Sequence, residues 1–66
     1  MQIFVNGDSV ELKEGATLID LLEHLSLREA KVAIELNQSI IPRSQHAQQA
    51  LAEQDQVEIV HAIGGG

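Results

Sequence analysis

The 66-residue sequence has no cysteine, tryptophan or tyrosine, a single phenylalanine (Phe4) and a single proline (Pro42). Without cysteine, no disulfide staples the chain and no thiolate binds a metal. One core of this size yields only about 3–5 kcal/mol net, so it must be compact and well patterned. Cations are scarce too. Lys13, Arg28, Lys31 and Arg43 stand against ten Asp and Glu residues, a net charge of −6. That deficit argues against nucleic acid, which needs a basic footprint, and against anionic membrane surfaces. It would steer a basic protein partner toward the chain. Long apolar runs are also missing, so no segment spans a bilayer. The opening Met1–Val5 lacks the charged region and long apolar stretch of a signal peptide. The expected compartment is the cytoplasm.

Hydrophobic residues make up 44% of the sequence, which is enough for one globular domain. Met1, Ile3 and Val5 alternate with Gln2 and Phe4, the period of a strand. Asn6-Gly7 accepts the positive φ angles of a two-residue hairpin turn. Asp8–Lys13 returns as a second strand, broken by Glu14-Gly15. Thr17 is a candidate N-cap, with Asp20 placed to reach back to it, although the usual capping box has Glu or Gln there. Leu18, Leu21, Leu22 and Leu25 then form one apolar helical stripe.

Val32, Ile34 and Leu36 alternate as a third strand. Asn37-Gln38-Ser39 turns the chain into a short fourth strand at Ile40-Ile41, which Pro42 stops. Ser44 is read as capping a short helical turn with Ala47, Ala50 and Leu51 inside. A polar loop, Glu53–Gln56, leads to a last strand over Val57–Ala62. The order β-β-α-β-β-turn-β predicts an α+β domain with a mixed five-stranded sheet, one main helix and a short helical turn. Residues 1–62 form that domain and 63–66 a flexible tail. The helix covers one sheet face. Phe4, Val60 and Ala62 fall on the other, where a partly exposed apolar patch beside the tail would serve as a docking site.

Side-chain chemistry is thin. His24, His46 and His61 show no metal-ligand spacing and read as surface or strand-edge residues. The serines lack a nucleophile-elbow context. Lys13 and Lys31 would need a dry pocket to be catalytic. An enzyme built on these side chains is not expected, nor is a bound cofactor. What stands out is the closing Ile63-Gly64-Gly65-Gly66, which cannot be a phosphate loop because no helix follows it.

Glycines without side chains pass through a narrow channel and tolerate unusual backbone angles. Extended, this tail reaches roughly 13 Å, far enough to enter a partner's active site while the body stays outside. An α-carboxylate, with a pKa near ~3.5, is ionised and a poor electrophile at neutral pH. Adenylation with ATP by a partner enzyme would make it attackable. Gly66 is the expected reactive residue.

Several stretches carry a resemblance. They are Met1-Gln2-Ile3 with Asn6-Gly7, Leu36-Asn37 with Ile41-Pro42-Arg43-Ser44, and above all Asp55 with Val57–Val60 running into Ala62-Ile63-Gly64-Gly65-Gly66. Over nearly its whole length the chain resembles the thiamine-biosynthesis sulfur carriers, the ThiS family. The opening pentapeptide is also similar to ubiquitin, whose β-grasp fold these carriers share. The resemblance implies a sheet whose first and last strands pair in parallel at its centre. It implies adenylation of Gly66 by a ubiquitin-activating-type, ThiF-like adenylyltransferase, conversion to a thiocarboxylate by a sulfur donor enzyme, and sulfur transfer to a ThiG-like thiazole synthase.

Two positions depart from the family's pattern. His46 stands where Trp is common and Gln54 where Gly is common. The first is expected to change packing around the short turn, the second to change the loop's turn type. Three rival readings have their own expectations. A molybdopterin synthase small subunit tends to be longer, with proline before its terminal Gly-Gly. A ubiquitin-like modifier would form an isopeptide bond through Gly66. A non-reactive β-grasp binding module would use Phe4 and Val60 alone.

Overall fold

A computed structural model describes residues 1–61. The elements are β1 (Gln2–Val5), β2 (Asp8–Glu11), α1 (Leu18–His24), β3 (Val32–Leu36), β4 (Ser39–Ile41), a 3-10 turn (Arg43–Gln45) and β5 (Gln56–His61). The strands make one sheet in the order β2-β1-β5-β3-β4. All neighbours are antiparallel except β1 and β5, which run parallel at the centre with Phe4 opposite Gln56 and Val5 opposite Val57. This is the β-grasp arrangement that the resemblance implies.

The alternation in the sequence becomes two sheet faces. Ile3, Val5, Ile34, Leu36, Val57 and Ile59 point to one side and bury against Leu18, Leu21 and Leu22 of α1, with Leu51 completing the core. Leu25, at the C-cap of α1, is only partly buried against this cluster. Both hairpins use two-residue turns with positive φ at each position: Asn6 and Gly7 at 50° and 88°, Asn37 and Gln38 at 49° and 74°. Such angles match the right-handed twist of the flanking strands. Ser39 belongs to β4, opposite Leu36, so the second turn is one residue shorter than the sequence suggests.

The capping box of α1 is complete with aspartate. The Asp20 N–H donates to Thr17 Oγ1 at 3.3 Å and the Thr17 N–H donates to Asp20 Oδ2 at 2.9 Å. That backbone donation, helped by a smaller contribution from the Lys13 charge, lowers the Asp20 pKa from its ordinary 3.8.

The segment after β4 departs from expectation. The 3-10 turn starts directly after Pro42, with no side-chain cap, so Ser44 lies within it rather than capping it. Ala47 and Ala50 are exposed. The residue that turns inward is His46, only 2% exposed, where a surface position was expected. Its ring reaches back to the Ile41 carbonyl at 2.9 Å, so the ring has a polar anchor that lets it sit beside the core. His24 and His61 are exposed. Gln54 has φ of 72°, so this loop keeps the left-handed backbone that a glycine would favour, without the glycine. Among the described residues, no helix is long and apolar enough to cross a membrane.

Candidate functional site

Strand β5 leads into the candidate reactive segment. Ile63, Gly64, Gly65 and Gly66, together with Ala62 of the expected docking patch, lie outside the described residues, as does the expected domain boundary between 62 and 63. The structure describes the root from which that segment leaves.

The two sides of β5 are held unequally. On one side β3 pairs with it through to Val32 opposite His61. On the other, β1 ends at the Asn6-Gly7 turn, and its pairing stops at Val5 opposite Val57. The Asn6 side chain takes over there. Its Oδ1 accepts from the Ile59 N–H at 2.8 Å and its Nδ2 donates to the Ile59 carbonyl at 3.1 Å. The Asn6 N–H also donates to the Val57 carbonyl at 2.8 Å. One carboxamide thus stands in for the next residue of β1 and satisfies both backbone groups of Ile59, which would otherwise lack protein partners on that side. Val60 and His61 extend beyond this clamp with β3 as their only strand neighbour.

The start of β5 is fixed as closely. Asn37 Oδ1 accepts from the Gln56 N–H at 2.9 Å, and Asn37 Nδ2 donates to Asp55 Oδ1 at 3.0 Å. The other Asp55 oxygen accepts from the Ala52 N–H at 2.8 Å. These partners close the turn before the strand and set its register against β1 and β3.

Phe4 and Val60 share the face turned away from α1, as expected, Phe4 half-buried and Val60 59% exposed. They are not adjacent. Phe4 lies opposite Gln56, so Val60 is four residues further along β5, roughly 13 Å away at strand rise. Glu58 stands between them on the same face, directly opposite Glu35. Like charges facing each other across strands are destabilising. Sequence reasoning missed Ile40, which is 74% exposed and lies opposite Glu35 on the same face. The signal for it was the alternation itself: Ile41 points inward, so Ile40 must point out. The open face is therefore an acidic centre, Glu35 and Glu58, with apolar residues Phe4, Ile40 and Val60 around it. Among the described residues no group of three or more His, Asp or Glu is placed to hold a metal.

Residues 3–66 match the ThiS family. The chain is 39% identical to the sulfur carrier protein ThiS of Escherichia coli K12, covering all of both chains. It is 41% identical, over its full length, to a thiazole synthase of Magnetococcus marinus, of which it spans 20%. The crystal structure of a thiamine biosynthesis protein, ThiS, from Geobacter metallireducens superposes with a TM-score of 0.85 at 29% identity, covering 100% of each chain. With its β-grasp sheet and this end-to-end correspondence, the chain belongs to the ThiS family, the sulfur carrier proteins of thiamine biosynthesis.

Proposed function

We propose that Gly66 is the residue that carries the sulfur. In the first step a carboxylate oxygen of Gly66 attacks the α-phosphorus of ATP on a partner adenylyltransferase. Pyrophosphate leaves and an acyl-adenylate forms. A sulfur donor enzyme then delivers sulfur at the sulfide level, which forms a C–S bond at the Gly66 acyl carbon as the C–O bond to AMP breaks, so AMP leaves and a thiocarboxylate remains. Adenylation is needed because the ionised carboxylate resists attack. The thiocarboxylate passes its sulfur to thiazole synthase. Relatives named thiazole synthase contain a region similar to this whole chain, which supports that pairing. The chain itself is the substrate of these steps and catalyses none of them, and its place of work is the cytoplasm. The observation that carries the proposal is the correspondence with the E. coli sulfur carrier across all of both chains.

The body's task in this reading is presentation. The Asn6 clamp holds β5 at Ile59 and the β3 ladder continues to His61, and residues 63–66 enter the partner's active site. The open face, with Phe4 and Val60 on its apolar part and Glu35 and Glu58 at its centre, is the surface that meets the adenylyltransferase, and Ala62 is a further contact residue in this reading. A partner arginine or lysine between the two carboxylates would relieve their repulsion. The test is ATP–pyrophosphate exchange by the adenylyltransferase with the whole chain as substrate. Removal of Gly66 should abolish exchange. Val60→Asp should raise the carrier concentration needed for half-maximal exchange about tenfold while leaving the melting temperature unchanged, as expected for an apolar contact residue. Exchange that persists without Gly66 would contradict the assignment, and an unaltered Val60→Asp would move the docking surface elsewhere.

A further inference from the structure

We propose that the cavity between α1, the loop before β3 and the 3-10 turn binds inorganic phosphate, in the form that keeps one hydroxyl. This site is separate from β5 and the open face, and the proposal does not depend on the reaction assigned to Gly66.

The first observation is the His46 ring. His46 is 2% exposed as a residue and is one of those lining the cavity. Its Nε2 lies 2.9 Å from the Ile41 carbonyl oxygen. A carbonyl only accepts, so Nε2 carries a hydrogen and donates. In the neutral ring, Nδ1 is then a bare acceptor, and it has no hydrogen-bond partner among the described residues. No side-chain nitrogen or oxygen among them is both sealed and unpaired. Nδ1 therefore keeps some accessible surface, and His46 is among the residues that line the cavity.

The second observation is charge. On a chain of net charge −6 with four cations, two of the cations, Arg28 and Arg43, line this one cavity. Arg43 makes no ion pair among the described residues, while Arg28 Nη1 lies 3.3 Å from Glu23 Oε2 at an exposed position. A guanidinium has five N–H donors, so the Glu23 pair leaves Arg28 others to offer. Glu29 also lines the cavity and opposes an anion, leaving a local balance of one positive charge from the three lining residues.

These groups define the ligand. Two arginine forks match the oxygens of a tetrahedral oxyanion. An unpaired acceptor nitrogen on a residue that lines the cavity favours a ligand that also donates a hydrogen. Ile19, Leu22 and Val32 form an apolar floor, and the cavity volume is ≈ 230 Å³, below the roughly 300 Å³ at which sites for drug-sized molecules begin. The monohydrogen phosphate dianion combines small size, charge and one hydroxyl. Sulfate lacks the hydroxyl. A phosphate monoester loses its own above its second pKa near ~6.

The test uses the full 66-residue chain, isotope-labelled, titrated with inorganic phosphate at slightly alkaline pH and constant ionic strength. Sulfate and methyl phosphate serve as the comparison anions. The expected result is saturable binding, with NMR shifts at the amides of residues 28–30, at the Arg43 Nε–H and at His46 Nδ1. Phosphate should bind about fivefold more tightly than either comparison anion, the yield of one added hydrogen bond. Arg43→Gln, at an exposed position, should weaken phosphate binding about tenfold through loss of a charge-assisted contact. Equal affinity for all three anions would overturn the role given to His46. Shifts that never saturate, and that include Lys13 equally, would reduce the effect to charge screening and overturn the site.

Discussion

The Asn6 carboxamide donates to and accepts from the backbone of Ile59 across a sequence separation of 53 residues. Asn6→Ala removes both bonds and leaves two partly buried backbone groups without protein partners. Such an orphaned group costs about 1–3 kcal/mol, so this substitution should lower stability by about 2 kcal/mol in a denaturant melt. It should also speed hydrogen exchange at the Ile59 amide above the global rate change. A stability loss without that local signature would mean that the turn, rather than the clamp, is what Asn6 supports. Asn-Gly was legible as a turn because turn preference is local. The clamp was not, since only the folded topology brings Ile59 beside it. His46 was hidden in the same way: its burial depends on a carbonyl at Ile41 that a one-dimensional pattern cannot place.

Gln38 and Gln54 carry φ of 74° and 72°. A non-glycine residue in the left-handed region costs roughly 1–2 kcal/mol, partly offset by the roughly 0.5–1 kcal/mol of chain entropy that glycine forfeits on folding. Gln38→Gly and Gln54→Gly should each stabilise by about 0.5–1 kcal/mol, raising the melting temperature by about 5 °C in a domain of this size. Unchanged or lower melting temperatures would show that these side chains offset the backbone strain through contacts of their own. At Gln54 the left-handed backbone is kept without glycine because hydrogen bonds on either side of the residue hold the loop. The Gln54 N–H donates to the Gln2 carbonyl at 2.7 Å and Asp55 closes the turn on Ala52.

At the scale of elements, α1 shows how capping and charge act together. The Asp20 carboxylate is stabilised by the Thr17 N–H, so its pKa is lowered on folding. A depressed carboxylate contributes stability above its unfolded pKa and loses that contribution as pH falls through the folded value. The stability difference between the wild-type chain and Asp20→Asn should therefore be constant near neutrality. It should shrink as pH falls from 3.8, the ordinary value. A gap that stays constant through the acid range would show that the cap does not depend on the charge of the carboxylate. The element order, the leucine stripe of α1 and the alternation of β3 and β5 were legible because each is a local periodicity of 3.6 or 2. The segment 42–51 was misread at Ser44 because a single 3-10 turn has too few residues to show a period. What fixes it is long-range: the Leu18 N–H donates to the Gln49 carbonyl and the Leu51 N–H to the Ala16 carbonyl.

For the whole molecule, the parallel β1–β5 pairing is the feature that joins fold to function. It places the last strand at the centre of the sheet, between β1 and β3, so the strand that leads toward the candidate reactive segment is anchored in the middle of the domain, on both sides up to Ile59 and by β3 alone at Val60 and His61. Sequence periodicity alone did not dictate this pairing. It came from the resemblance, since strand order depends on which faces find each other in three dimensions. The open face was only partly legible. Phe4 and Val60 were assigned to the correct side, but the Glu35–Glu58 pair and Ile40 beside it came from the register. The candidate reactive residue was legible for the opposite reason: a glycine run needs no fold to be recognised.

The most direct measurement is the mass of the C-terminal fragment after the chain is incubated with its adenylyltransferase, ATP and a sulfur donor. A fragment, rather than the intact chain, keeps the reading clear of oxidation at Met1, which is nearly isobaric with exchange of oxygen for sulfur. The expected result is an ATP-dependent replacement of one oxygen by sulfur confined to Gly66. An unmodified Gly66, in the presence of an adenylyltransferase shown to be active, would contradict it.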